Sequence, residues 1–160
     1  MILEYRTGII RSATEEDAEF ISTRLRKADL IEMHSFHDEG EDPADVLKKG
    51  IELSNPDSWT ITLKDGTPVA IFGITPCNEY FGAVWMMGTN RIVELHREFL
   101  RQCRNWIPIL HEKYPLLGNM VYAKNDIHIK WLKFMGFHFI KKHKSLGNMD
   151  LPFYEFIHKQ

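Results

Sequence analysis

Residues 58–74 read Ser-Trp-Thr-Ile-Thr-Leu-Lys-Asp-Gly-Thr-Pro-Val-Ala-Ile-Phe-Gly-Ile, and here the apolar residues change from helical spacing to alternation. Trp59, Ile61 and Leu63 alternate with serine and threonine, which predicts a half-buried strand. Asp65-Gly66 predicts a tight turn, because primed hairpin turns need a positive φ that glycine adopts without strain. The apolar run after the turn predicts the returning strand, so an antiparallel hairpin is expected near the middle of the chain.

Two helices and one strand are predicted before this hairpin. Thr14 and Asp17 have the spacing of a capping box, and the apolar spacing that follows predicts a first helix over residues 15–27. Asp42-Pro43 supplies an N-cap and a first-turn proline, which predicts the start of a second helix. The polar tract between them, residues 34–41, is predicted to be a loop. A short apolar alternation near the start of the chain predicts the strand.

The second half of the chain predicts a buried strand, a long helix and a closing set of strands. Ala83–Met87 is apolar on both faces, as expected of a strand in the middle of a sheet. Apolar residues at helical spacing then predict one long helix that ends at Tyr114-Pro115. A strand, a helix that begins near Asn125, and two final strands follow. The predicted order is βααβββαβαββ in a single domain over residues 1–160. This is an α/β fold with one mixed, mostly antiparallel sheet and helices on both faces.

The composition excludes several classes of protein. The 160 residues carry a formal net charge of −2, and no apolar stretch is long enough to span a membrane, so a soluble cytoplasmic protein is expected. The balanced charge argues against nucleic acid as a partner. Cys77 and Cys103 lack zinc spacing, and no two histidines flank a carboxylate at helical spacing, so no metal is expected.

The two halves of the chain differ in charge. Residues 1–80 contain 8 Lys and Arg against 16 Asp and Glu, whereas residues 81–160 contain 12 against 6. Such a division is compatible with an anionic ligand on one side and a cationic ligand on the other, or with two solvated faces. The acidic run Asp38–Asp45 lies in the first half.

Three motifs, in the correct order, resemble those of the GNAT superfamily of acyl-CoA N-acyltransferases. The first is residues 11–17, Arg-Ser-Ala-Thr-Glu-Glu-Asp. The second is the Asp65-Gly66 hairpin with the strand that follows it, and the third is residues 125–137, which run from an asparagine through a short helix to Gly-Phe. The resemblance implies the GNAT fold over the whole chain.

Finer motifs resemble the GNAT-like proteins of short-tailed bacteriophages, some of which are named internal virion proteins. They are residues 29–32, Asp-Leu-Ile-Glu; residues 85–89, Trp-Met-Met-Gly-Thr; and residues 131–137, Trp-Leu-Lys-Phe-Met-Gly-Phe. This resemblance implies a phage protein, located in the host cytoplasm or packaged in the virion.

The superfamily resemblance implies acetyl-CoA as co-substrate. Its pantetheine arm would lie between strand Ala83–Met87 and strand Met120–Ala123, and its pyrophosphate would bind the backbone amides that open the following helix. A helix N-terminus carries partial positive charge and free N–H groups, which favour an anion. The residues implied to bind the co-substrate are Trp85, Met86, Met87, Gly88, Thr89, Asn90, Arg91 and Asn125.

Candidate catalytic residues lie on the helix that begins near Asn125. Asn125 either contacts the co-substrate or caps its helix. His128 lies in the first helical turn, where the helix dipole depresses the pKa of a histidine and favours a neutral base, or it is an ordinary half-buried histidine. Glu32 either faces the acceptor amine or pairs with a basic residue.

Three departures from the family pattern leave two functions open. The family's phosphate motif has several small residues, whereas here only Gly88 is small and flexible. Leu132 occupies the position where many members have a tyrosine that can protonate the leaving thiolate. Strand Ala83–Met87 also lacks the carboxylate that often serves as base. One function is acetyl-CoA-dependent N-acetyl transfer to a primary amine. The other is a catalytically degenerate phage protein with a virion-structural or host-protein-binding role.

Overall fold

The predicted hairpin forms the middle of an eight-stranded sheet in the computed structural model, which describes residues 2–38, 40–95 and 97–160. The strands are β1 (Leu3–Glu4), β2 (Gly8–Ser12), β3 (Ser58–Leu63), β4 (Pro68–Pro76), β5 (Phe81–Gly88), β6 (Leu116–Tyr122), β7 (His138–Leu146) and β8 (Leu151–Lys159). The helices are α1 (Glu15–Ser22), α2 (Lys27–Phe36), α3 (Pro43–Ser54), α4 (Arg97–Cys103), α5 (Trp106–His111) and α6 (Asp126–Phe134), and a 3₁₀ helix (Asn90–Glu94) precedes α4.

The sheet is antiparallel except at one pair of strands. Its spatial order is β1-β2-β3-β4-β5-β6-β8-β7, and β5 and β6 run parallel. Only Phe81–Ala83 pairs with residues 116–118 of β6, so the two strands separate beyond Ala83. Asn119 Nδ2 donates a hydrogen bond of 3.0 Å to the Val84 carbonyl where the separation begins. A gap therefore opens between the carboxyl-terminal halves of these strands.

Helices cover both faces of the sheet, as predicted. On one face α1, α2 and α3 enclose an apolar cluster that includes Ile21, Met33 and Leu47, and on the other α4, α5 and α6 cover the larger cluster. The side chains of β5 contribute to both. Trp85 and Met87 pack on the α1–α3 side, while Val84 and Met86 pack on the α4–α6 side. The mixed α/β sheet with helices on both faces is therefore confirmed.

Local capping signals placed several helix ends correctly. Thr14 and Asp17 form the predicted capping box at the start of α1. Asp42 accepts a hydrogen bond from the Ala44 amide at the start of α3. Gly136 follows α6 with a φ of +91°, a conformation that glycine adopts at low cost. These termini are set by nearby residues, which is why the sequence predicts them.

The predicted helix over residues 15–27 is wrong, because α1 ends at Ser22 and a separate helix, α2, begins at Lys27. The intervening residues pair with the end of β5. Leu25 forms a β-bridge with Thr89, and the Arg26 amide donates to the Gly88 carbonyl at 2.9 Å. This long-range pairing interrupts the helix. The predicted loop 34–41 is also too long, since α2 extends to Phe36; Glu39 lies outside the described residues.

The single long helix predicted to end at Tyr114-Pro115 is replaced by the 3₁₀ helix, α4 and α5. Pro108 explains the separation of α4 from α5, because proline lacks an N–H and would break the interior of a continuous helix. Helix α5 begins at Trp106, so Pro108 lies in a first turn, where the missing donor is tolerated. His96 lies outside the described residues. Among the residues the structure describes, no helix has both the length and the apolar character needed to traverse a lipid bilayer.

Candidate functional site

The gap between β5 and β6 opens into a cavity of about 440 Å³. Side chains from both faces of the sheet line it: those of α2 and α3 on one side, and those of α5 and α6 on the other. Because the cavity reaches both apolar clusters, it passes through the sheet at the gap. The predicted co-substrate residues Trp85, Met86 and Met87 line it, as do Glu32 and His128.

Asn125 lies at the N-cap position of α6, but its side chain does not cap the helix. It is completely buried, and its Nδ2 donates to Asp29 Oδ1 and to Glu32 Oε1, each at 2.9 Å. Its Oδ1 accepts a hydrogen bond of 3.1 Å from the Arg26 guanidinium. The amide therefore joins α6 to α2, and the simple capping interpretation is wrong.

Asp29 is completely buried and connects three elements. Its Oδ1 accepts from the Arg26 guanidinium at 3.1 Å as well as from Asn125, and its Oδ2 accepts from the Gly88 amide at 2.9 Å. Arg26 is also buried, so the two form a buried ion pair. Burial of such a charge requires a partner and further hydrogen bonds, which Asn125 and Gly88 supply. Asp29 thus holds the end of β5 against α2 and α6.

Glu32 is a buried carboxylate in the cavity wall. Its Oε1 accepts from the Tyr122 amide as well as from Asn125, both at 2.9 Å. Burial, followed by the negative charge of Asp29, raises the pKa of Glu32 to about 8, although the donated hydrogen bonds oppose the shift. Glu32 is therefore largely protonated at neutral pH. The sequence interpretation in which it simply pairs with a basic residue does not describe these contacts.

His128 lies in the first turn of α6 and is buried beside both carboxylates. Its Nε2 is 3.3 Å from Asp29 Oδ1, but the geometry makes no hydrogen bond, and its Nδ1 is 3.9 Å from Glu32 Oε2. Burial lowers the pKa of His128, with Asp29 opposing that shift. The lowered pKa agrees with the sequence prediction, but burial rather than the helix dipole is its main cause.

Asp29, Glu32 and His128 carry ligand-type atoms within 4.8 Å of one another. Both oxygens of Asp29 already accept hydrogen bonds, and the Arg26 guanidinium lies against one of them. A cation placed there would compete with Arg26 for the same carboxylate. These contacts favour a hydrogen-bonded cluster over a metal centre.

The turn after β5 uses most of its own amides. The Gly88 amide donates to Asp29, the Thr89 amide to the Val69 carbonyl at 2.8 Å, and the Arg91 amide to Thr89 Oγ1 at 3.3 Å. Arg91 forms an exposed ion pair with Glu94 at 2.6 Å. The helix expected there is a five-residue 3₁₀ helix. A pyrophosphate can reach those three amides only by displacing hydrogen bonds of the fold.

The backbone of Met86 faces the gap. The Gly88 N–H and C=O and the Val84 C=O all bond to groups on the gap side of β5. Backbone groups alternate in direction along a strand, so the N–H and C=O of Met86 point the same way. Asp29 and Arg26 form hydrogen bonds with the backbone of Gly88, and Asn119 forms one with the carbonyl of Val84. Met86 lies between these two residues and therefore offers its N–H and C=O to the cavity.

The structure thus brings together three predicted residues, Glu32, Asn125 and His128, that the sequence considered separately. Arg26 and Asp29 are additional members of the cluster that were not named as site residues. Their signal in the sequence is spacing: Arg26, Asp29 and Glu32 recur every third residue, which puts them on one side of a helical turn. The prediction of a helix that ended at Lys27 obscured this pattern.

Solved structures of acetyltransferases share this architecture. A GNAT-family acetyltransferase from Bacillus anthracis superposes with a TM-score of 0.69 at 13% identity, over 99% of this chain and 98% of the other. Ribosomal-protein-alanine N-acetyltransferase from Brucella melitensis gives 0.69 at 17% identity, over 94% and 99%. The yncA protein of Salmonella typhimurium, described with its cofactor acetyl-CoA, gives 0.69 at 12% identity, over 95% and 93%. The chain therefore has the GNAT fold.

A protein-family model matches residues 60–144, which is just over half of the chain. That family is described as bacteriophage T7, probable scaffold protein Gp13. No curated protein matches the sequence.

Proposed function

Because the chain belongs to the bacteriophage T7 probable scaffold protein Gp13 family, and because its fold is that of GNAT acetyltransferases, we propose that it is a phage acyltransferase. It binds an acyl thioester of coenzyme A between β5 and β6 and transfers the acyl group to a primary amine. The observation that carries this proposal is the backbone of Met86, which faces a 440 Å³ cavity at the point where the two strands separate.

The gap fits the extended arm of an acyl thioester. A strand with outward N–H and C=O groups binds an extended ligand as it would bind another strand. Met86 offers one such pair of groups, and Trp85 and Met87 line the cavity beside it. The amides of the turn fit a pyrophosphate less well, because Gly88, Thr89 and Arg91 already donate to protein acceptors.

The chemistry would be direct transfer. The Met86 N–H would donate to the thioester carbonyl oxygen and stabilise the negative charge that develops there. His128, kept neutral by burial, would accept the proton that the amine loses as its nitrogen bonds to the carbonyl carbon. The carbon–sulfur bond would then break. The leaving thiolate would take its proton from water, because Leu132 offers none. Asn125 acts through Glu32 and Asp29 and is a positioning residue.

A second function is favoured by one specific observation. Acceptors within the protein occupy the turn amides of Gly88, Thr89 and Arg91, as expected of a GNAT fold that no longer binds a phosphate there. Under this alternative the GNAT fold serves inside the virion or binds a host or phage protein, consistent with a family described as a probable scaffold protein.

Calorimetric titration with acetyl-CoA separates the two functions. Binding at micromolar concentration is the result expected of the acyltransferase. Absence of binding at millimolar concentration would overturn it and leave the structural role.

A thiol-release assay then tests the chemistry, using acetyl-CoA with a peptide amine, a polyamine or an aminoglycoside. We expect His128→Gln to reduce thiol release while acetyl-CoA binding is retained. His138→Gln, at an exposed histidine of β7, is the matched control and should leave both unchanged. Equal activity in the two variants would remove His128 from the mechanism.

A further inference from the structure

A basic surface lies on α6 and β7, outside the cavity. Residues 127–149 contain five lysines and three histidines but no aspartate or glutamate. The five lysines are all exposed, and they are Lys130, Lys133, Lys141, Lys142 and Lys144. In the part of the chain that the structure describes, the lysines that form ion pairs are others. No ion pair within these residues therefore neutralises the basic surface.

An acidic surface lies beside the basic one. The start of α3 and the segment before it expose four carboxylates, those of Asp38, Glu41, Asp42 and Asp45. Asn148, in the turn between β7 and β8, donates from Nδ2 to the carbonyl of His37 at 3.0 Å. His37 directly precedes the acidic surface, and the turn directly follows the lysines of β7. The two surfaces of opposite charge therefore meet at this turn.

Two exposed apolar side chains lie where the acidic and basic surfaces meet. Phe36, the last residue of α2, is 49% exposed, and its ring centroid lies 5.1 Å from that of Phe153. Met149 is 44% exposed, and its sulfur lies 3.9 Å from Ser35 Oγ. Aromatic residues and methionine are enriched at the centres of protein interfaces, whose rims are polar. Phe36 and Met149, with charged groups on either side, have the composition of such an interface.

From this arrangement we propose that Phe36 and Met149, with the acidic and basic surfaces beside them, bind a second copy of this chain. The two copies are related by a twofold axis near Phe36 and Met149, so that the acidic surface of each faces the basic surface of the other. A twofold interface uses the same patch on both copies, and that patch must be complementary to itself. Opposite charges on the two sides of one apolar centre meet this requirement. The inference does not depend on the proposed acyl transfer.

The charges favour a second copy over other partners. Nucleic acid would be attracted to the basic surface but repelled by the adjoining acidic surface, and the chain as a whole has a net charge of −2. A partner with a single acidic surface would leave the carboxylates beside Phe36 facing like charge. A second copy satisfies both surfaces at once.

Charge reversal on each side tests the arrangement by sedimentation velocity. Lys142→Glu with Lys144→Glu reverses the basic surface, and Asp38→Lys with Asp45→Lys reverses the acidic surface. We expect the wild type to form a dimer at micromolar concentration. Each double variant should associate about 100-fold more weakly, because like charges then face each other across the interface. An equimolar mixture of the two variants should dimerise again, since every acidic surface of one variant meets a basic surface of the other.

Arg101→Glu with Arg104→Glu is the matched control. It makes the same change in net charge at two exposed positions at the end of α4 and should leave the dimer intact. A control variant that dissociates as readily, a dimer that survives both reversals, or a mixture that stays monomeric would each overturn the proposal. A wild type that stays monomeric at millimolar concentration would also overturn it, whether or not DNA or polyglutamate then binds the basic surface. Should a reversal variant fail to fold, high salt must weaken the wild-type dimer, and a dimer insensitive to salt would contradict the charge pairing.

Discussion

Asn125 shows how one buried amide can hold two helices together across the edge of a cavity. It contacts Arg26, Asp29 and Glu32, which lie more than 90 positions earlier in the chain. Each of these groups is charged or titratable and is buried, so each depends on specific hydrogen bonds. The geometry of the cavity wall is therefore determined by a polar network rather than by apolar packing alone.

Removal of that amide should be costly. Asn125→Ala deprives Asp29 and Glu32 of a donor and Arg26 of an acceptor, so we expect the free energy of unfolding to fall by about 1–3 kcal/mol. Urea denaturation of the wild type and the variant measures this difference in the free energy of unfolding. Asn105→Ala, at an exposed asparagine that bonds Gln102, is the control and should change stability by less than about 0.5 kcal/mol. Similar losses in the two variants would mean that the buried network contributes little.

Glu32 should make stability depend on pH. Its pKa is raised from the usual 4.5 to about 8 in the folded protein, so between these values the folded state binds more protons than the unfolded chain. Stability from this group is therefore present below about pH 4.5 and decreases as pH rises towards 8.

Glu32→Gln removes the titrating group and isolates its effect. We expect the stability of the wild type relative to this variant to fall between pH 5 and pH 8, by on the order of 1 kcal/mol per pH unit. Chemical denaturation at several pH values measures the difference. A difference that stays constant, or that increases with pH, would contradict the buried, protonated carboxyl.

The secondary structure elements divide into those fixed by local sequence and those fixed by distant contacts. The hairpin at Asp65-Gly66 and the capping box of α1 follow from neighbouring residues, and the sequence predicts both. The start of α2 follows instead from pairing of Leu25 and Arg26 with the end of β5. A local sequence pattern carries no information about a pairing partner more than 60 residues away, so the sequence does not predict where α2 begins.

The same distinction applies to the site. The sequence predicts Asn125 and His128 from their places at the start of one helix, and it offers Glu32 either as a residue that faces the acceptor or as the partner of a basic residue. Their convergence with Asp29 depends on how α2 packs beside α6, which is a property of the tertiary structure. The hydrogen bonds of the turn amides also depend on the tertiary structure. Their acceptors, Asp29 and Val69, are distant in sequence from Gly88 and Thr89, whose amides donate to them.

The turn after β5 retains one amide that can bind an anion. Asn90 begins the 3₁₀ helix, and a first-turn N–H has no acceptor within its own helix. Proline is tolerated at that position, so Asn90→Pro should preserve the fold. If this amide contacts the pyrophosphate, acetyl-CoA affinity should decrease about tenfold, as for loss of one hydrogen bond to a charged group.

The exposed residue Lys144 provides the comparison for Asn90. Lys144→Ala lies on β7, away from the turn, and should leave acetyl-CoA affinity unchanged by calorimetry. Equal losses of affinity in the two variants, or unchanged affinity in Asn90→Pro, would remove the turn from the binding site. The remaining contacts would then be those of Met86 and the cavity.

At the scale of the whole molecule, the acidic and basic halves of the chain contribute different sides of one cavity. The first half supplies α2 and α3 with the charged lining residues Glu32, Glu41 and Lys49, and the second half supplies β5, α5 and α6. The described residues that line the cavity from the second half include no lysine or arginine, so the basic excess of that half lies outside the cavity. The gap also separates the sheet into two sets of strands, which are joined at β5 and β6 by only three residue pairs.

A ligand that fills the gap should therefore stabilise the entire domain. It would contact β5 together with helices on both faces, and it would bind the folded state while the unfolded chain offers no cavity. At a concentration 100 times the dissociation constant, binding adds about 2.7 kcal/mol to the free energy of unfolding. For a domain of this size, that corresponds to an increase in Tm of roughly 5–10 °C. Thermal unfolding with acetyl-CoA at 100 times its dissociation constant should show this increase. A thioester that binds by calorimetry but leaves Tm unchanged would bind the folded and unfolded chains alike, and the gap could not be its site.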